Sequence, residues 1–115
     1  MKDRLEKDLT DLMVIPGLSG HEDRVRRAIS VLLSSEGIDG RVDRMGNLIA
    51  TFEGDADCPS VMLFTHMDQL GFIVRKIEDN GLIRVERLGG VPERALASQA
   101  VTVCVGAGSD VDGVL

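Results

Sequence analysis

An α/β fold is what three features of this 115-residue sequence predict. Two amphipathic helical stretches open the chain, the hydrophobic period switches beyond Gly37, and glycine-centred turn signals then separate short runs rich in β-branched residues. From Leu5 the apolar residues fall at Leu5, Leu9, Leu12 and Met13, the spacing of one helical face, and Pro16-Gly17 stops the pattern. Ser19-Gly20-His21-Glu22 opens a second helix: Ser19 is placed to cap the free amides, and Glu22 follows three residues later as in a capping box. Val25, Ala28, Ile29, Leu32 and Leu33 continue its buried stripe, and Gly37 marks its end.

The remainder reads mostly as strand. Residues 41–45 and 48–52 flank Gly46-Asn47, a tight turn that predicts a hairpin. Residues 60–65, Ser-Val-Met-Leu-Phe-Thr, are apolar on both faces, as in a strand buried in the middle of a parallel or mixed sheet. Residues 72–77 and 82–88 flank Asp79-Asn80-Gly81, the strongest turn signal in the chain, and predict a second hairpin. Residues 100–105 form a further strand and residues 111–115 begin another. Gly106-Ala107-Gly108 lacks the lysine and following helix of a phosphate loop and reads as a bend. A boundary is expected near Gly71, where the buried strand gives way to hairpins. Because the chain stops in an apolar stretch, it is expected to be an N-terminal fragment whose exposed surface makes it self-associate.

Composition narrows the function. With 43% hydrophobic residues a real core is expected, and no apolar run approaches a membrane span. Thirteen basic against 19 acidic residues give a net charge of −6, which repels nucleic acid, and 3% aromatic residues leave little to stack on bases. Cys58 and Cys104 are expected to be buried free thiols in a reducing cytoplasm, and no signal peptide opens the chain. Neither has a histidine nearby to make it a nucleophile. The cluster Arg24, Arg26, Arg27 reads as a solvated helix face.

The two histidines are the scarce chemical resource. His21, in a first helical turn beside Glu22 and Asp23, reads as solvated or capping. His66 directly follows the buried run, at the kind of strand end where open α/β sheets place ligands. Asp68 lies two residues on, so in extended backbone its carboxylate falls on the same side as the imidazole. A carboxylate so placed orients a metal-binding histidine. His-x-Asp alone leaves two readings open, a metal ligand or a hydrogen-bonded loop histidine.

Four motifs occur in order: Leu18-Ser19-Gly20-His21-Glu22, Asp43-Arg44-Met45-Gly46-Asn47-Leu48, Thr65-His66-Met67-Asp68-Gln69-Leu70-Gly71-Phe72, and Leu88-Gly89-Gly90-Val91-Pro92-Glu93 followed by Ser98-Gln99-Ala100-Val101. Together they resemble the glutamyl and deblocking aminopeptidase family, co-catalytic zinc metallopeptidases that form large tetrahedral particles and are often labelled endoglucanases. The resemblance covers essentially the whole chain and the first third of such an enzyme. It implies that residues 1–72 are the N-terminal part of a zinc-exopeptidase-like catalytic domain and that residues 73–115 start an inserted, small, β-barrel-like dimerisation domain. His66 matches the family's first metal ligand, and Asp68 matches the catalytic carboxylate that orients it. Ser19, Gly20 and Glu22 match a structural turn and helix start. The other ligands and the general-base glutamate are expected beyond Leu115.

The resemblance further implies two divalent ions, Zn or Co, per subunit, which activate a water for peptide hydrolysis. Peptide substrates and a homo-oligomer built from dimers up to a dodecamer follow from it; composition and the charged N-terminus add a cytoplasmic location with no nucleic acid or membrane partner. The 115-residue chain alone is expected to be inactive. Two departures stand out: Gln69 replaces the family's usual Glu, and Val91 its usual aromatic residue. The competing readings are a related zinc deacylase or carboxypeptidase, and an inactive paralogue that serves only in assembly.

Overall fold

Among the described residues, 1–106 and 109–115 of a computed structural model, two helices, a short 3-10 turn and three antiparallel strand pairs form two units. The first unit is Met1–Asp68 and the second Gln69–Leu115. The mixture of helices and small sheets bears out the α/β class.

In the first unit, α1 (Lys2–Met13) and α2 (Asp23–Ser35) lie where the periodicity puts them. Arg4 of α1 ties to Glu36 at the end of α2 at 2.5 Å. The exit of α2 follows from Gly37, whose φ of +72° suits a residue without Cβ. Its amide donates to the Ser34 carbonyl (3.0 Å) and that of Ile38 to the Leu33 carbonyl (2.9 Å), the paired bonds of a Schellman motif. The entry differs from expectation. Glu22, not Ser19, occupies the cap position, and no side chain caps the helix. Ser19 lies four residues before the first helical residue, too far back to reach its amides.

The hairpin of β1 (Gly40–Val42) and β2 (Leu48–Ala50) is in place, with Arg41 opposite Ile49. Its connection is longer than a two-residue turn on Gly46-Asn47. Asp43 builds it: Oδ1 accepts from the amides of Met45 and Asn47 and Oδ2 from the Asn47 side chain, each at 2.9 Å. These bonds, the Asn47 side-chain amide foremost, hold the Asp43 carboxyl below the usual aspartate range. Arg26 corrects a second expectation. Its side chain is half-buried, pairs with Asp23 and donates to the Gly46 carbonyl at 3.4 Å, so it joins α2 to this loop instead of lining a solvated face.

Residues 60–65 contain no strand. Val61, Met62, Leu63 and Phe64 are 81–94% exposed. A strand's amides and carbonyls bond to a neighbouring strand, and among the described residues none pairs with this segment. Among the described residues the expected parallel or mixed sheet is therefore absent, and every strand pair is antiparallel.

In the second unit, β3 (Gly71–Ile77) and β4 (Ile83–Leu88) pair as predicted, with a slip of register between Val74 and Lys76. Residues 79–81 turn the chain: Gly81 at φ +85° bonds back to the Glu78 carbonyl (2.9 Å), and the Glu78 amide donates to Leu82 (2.8 Å). That is the three-residue hairpin loop in which a left-handed glycine closes the turn. A 3-10 turn covers Glu93–Ala95, and β5 (Ala100–Val103) pairs with β6 (Val111–Val114), so residues 111–115 close a hairpin. Ala107 and Gly108 lie outside the described residues, and with them most of the expected bend at 106–108.

Burial falls short of what composition implies. Val25, 4% exposed, is the one buried hydrophobic side chain among the described residues; Leu5, Leu9 and Met13 of α1 are exposed. The chain exposes 9980 Å². A finished 12.4 kDa domain exposes about 6,100 Å², and two finished domains of these unit sizes about 7,400 Å². Cys58 and Cys104 are free, as expected, but exposed, because each sits outside a helix or strand. Among the described residues no helix is long and apolar enough to cross a membrane.

Candidate metal-ligand site

The site is assembled from two short segments of the first unit, residues 17–20 and 66–68. Gly17 brings them together. A Cβ there would stand 2.6 Å from the Val25 side chain and 3.5 Å from the Met67 carbonyl, so only glycine admits this approach. The chain then turns over Leu18–His21, where the His21 amide donates to the Leu18 carbonyl at 2.7 Å and Gly20 has φ +80°. Glycine with positive φ at the third position is what a type II turn requires. The Glu22 carboxylate accepts the Gly20 amide at 2.8 Å and braces the turn. Ser19 stands at its second position.

His66 and Asp68 meet as the sequence spacing predicts. His66 Nδ1 lies 3.0 Å from Asp68 Oδ1 and 3.1 Å from the Asp68 backbone carbonyl. Both partners are acceptors, so Nδ1 carries the hydrogen, and in the neutral ring Nε2 presents its lone pair. The imidazole is largely exposed and Asp68 half-buried. Ser19 completes the arrangement by donating its hydroxyl to Asp68 Oδ2 at 2.5 Å. The Asp68 carboxyl is held below the usual aspartate range chiefly by this Ser19 bond, against the opposing effect of burial, with His66 adding a lesser pull in the same direction.

Sequence reasoning thus finds His66 and Asp68 but misses Ser19. The signal was present: Gly20 reads as the third residue of a turn as readily as the second residue of a cap, and a turn separates Ser19 from the helix. His21 is exposed in that turn. Among the described residues no three His, Cys, Asp or Glu side chains gather as a metal would need. One imidazole with its far nitrogen free fits a metal as a single ligand of a larger set.

An α/β chain with a histidine oriented by a carboxylate has an arrangement able to offer one ligand to a metal. The comparisons with known proteins go further. A family profile described as M42 glutamyl aminopeptidase matches residues 46–115, and the chain belongs to that family. A lysyl aminopeptidase of Pyrococcus furiosus is 37% identical over 87 residues, which are 75% of this chain and 25% of that protein. Among solved structures, an aminopeptidase from the archaeon Desulfurococcus kamchatkensis matches with a TM-score of 0.85 at 32% identity, over 94% of this chain and 30% of that one. A structure titled as the PhTET1-12s dodecamer matches with a TM-score of 0.81 at 33% identity, over 92% and 31%. The chain therefore spans a quarter to a third of the length of these relatives.

Proposed function

We propose that this chain is the N-terminal part of a metal-dependent aminopeptidase, in which His66 is a metal ligand and Asp68 orients it. The observation that carries the reading is the 3.0 Å contact between His66 Nδ1 and Asp68 in a chain of this family. Two divalent ions, zinc or cobalt, would polarise a peptide carbonyl and activate water when bound. Asp68 keeps the hydrogen on Nδ1 and makes the imidazole a stronger donor through Nε2. His66 contributes one ligand; the remaining ligands and the proton-transferring carboxylate come from the part of the enzyme this chain does not span. Peptides are the substrates in this reading, consistent with the two aminopeptidases it resembles. Residues 1–72 belong to the catalytic domain and residues 73–115 to an inserted β-domain through which subunits pair. The exposed apolar surface and the dodecameric relative support a homo-oligomer. The exposed free thiols are consistent with a cytoplasmic setting.

His66→Ala in the complete enzyme removes about one metal per subunit and abolishes aminoacyl-anilide hydrolysis, whereas Asp68→Asn lowers metal affinity roughly 10–100-fold. Metal content by mass spectrometry and zinc calorimetry read both. Parent-like zinc binding in both variants would refute the assignment.

A further inference from the structure

We propose that Ser19 is a positioning residue for the metal site, acting through Asp68; this rests on the reading of His66 as a ligand. Asp68 has two oxygens with separate tasks. Oδ1 faces His66 Nδ1 at 3.0 Å, and Oδ2 takes the Ser19 hydroxyl at 2.5 Å. A carboxylate swings readily about its last torsion. A charge-assisted bond on the far oxygen fixes that plane, and a fixed plane keeps Oδ1 on the imidazole. Without it, Oδ1 is free to leave the imidazole, and the Asp68 backbone carbonyl at 3.1 Å, a weaker acceptor than a carboxylate, favours hydrogen on Nδ1 less and strengthens the imidazole less.

The surrounding residues hold Ser19 to this task. Gly17 permits close approach to Val25 and the Met67 carbonyl, Gly20 supplies the left-handed turn position, and the Glu22 carboxylate braces the Gly20 amide. The Leu18–Glu22 motif is on this account a support for the histidine 47 residues after Ser19, and not a helix cap. Ser19 does not touch metal or substrate; it sets the orientation and tautomer of the group that does.

The test uses the complete enzyme with zinc as the probe and compares Ser19→Ala, Ser19→Thr and His66→Ala. Zinc affinity is read by competition with a chelating dye, and the His66 tautomer by nitrogen NMR of the metal-free protein. Ser19→Ala should weaken zinc about tenfold, the lower end of the effect of residues that hold a ligand in place, and shift the tautomer toward hydrogen on Nε2. Ser19→Thr, which keeps the hydroxyl, should restore both. Parent-like affinity and tautomer in Ser19→Ala, with a zinc lost in His66→Ala, would overturn the Ser19 inference alone. Unchanged zinc content in His66→Ala would overturn the metal reading beneath it. Should Ser19→Ala not fold, Ser19→Cys, whose thiol is only a weak donor, takes its place: weaker zinc binding and a smaller share of hydrogen on Nδ1 support the proposal, and parent-like values of both overturn it.

Discussion

Helix α2 carries an apolar stripe and the segment 60–65 an apolar run, yet one is ordered structure and the other lies exposed without a strand. The difference is where the backbone finds its partners. A helix satisfies its amides within four residues, and α2 closes even its last carbonyls through Gly37 and Ile38. A strand inside a sheet borrows its partners from elsewhere in the chain. Hairpins fall between the two, since a short turn delivers the second strand, and β1–β2, β3–β4 and β5–β6 all form. Apolar composition marks what is to be buried; local hydrogen bonding decides what forms without a distant partner.

Hydrogen exchange offers the largest test of that contrast. In the 115-residue chain the amides of residues 61–65 should exchange at least about a hundredfold faster than those in the middle of α2. In the complete enzyme the two should become comparable, because the neighbouring strands are then supplied. Slow exchange at 61–65 in the short chain would break the comparison.

A smaller effect is expected where α2 meets the site. Gly17→Ala places a methyl 2.6 Å from Val25 Cγ2 and should cost about 1–3 kcal/mol, by the usual scale of overpacking. Val25→Ala, which truncates the one side chain buried among the described residues, should cost a similar ~1–3 kcal/mol. Combined, they should cost less than their sum, since the added methyl then enters the space vacated, and denaturant melts of the two singles and the double measure the coupling. Additive losses would show that Gly17 and Val25 do not pack as described.

The smallest effect is on pH. Asp43 titrates below the usual aspartate range in the folded chain, so its stabilisation of the β1–β2 loop is fully present above the ordinary value and lost as pH falls through the lower one. Exchange of the Met45 and Asn47 amides should quicken, relative to α2, only at the acid end of that window. Asp43→Asn should flatten the response. A loop that loosens near neutral pH would point to a different group.

These contrasts track how much could be read in advance. The presence of both helices, the exit of α2 at Gly37 and the hairpin over Asp79-Asn80-Gly81 depend on residues within one turn of one another, and all were legible. So was the pairing of His66 with Asp68, because two residues of extended backbone carry its whole geometry. Ser19 was not, since its partner lies 49 residues away and the nearer capping pattern competes for the same hydroxyl. Arg26 and Asp43 were misjudged similarly: one reaches a carbonyl 20 residues on, and the other widens a turn through its side chain.

By itself the sequence determined the local elements and the pairing of His66 with Asp68, because short-range periodicity, turn chemistry and two-residue spacing are written in neighbouring residues. Only the tertiary structure decided that Ser19 holds Asp68, that Gly17 permits that approach, and that residues 60–65 stay unpaired. Each of those outcomes depends on which distant group occupies a given space, and no local pattern encodes that.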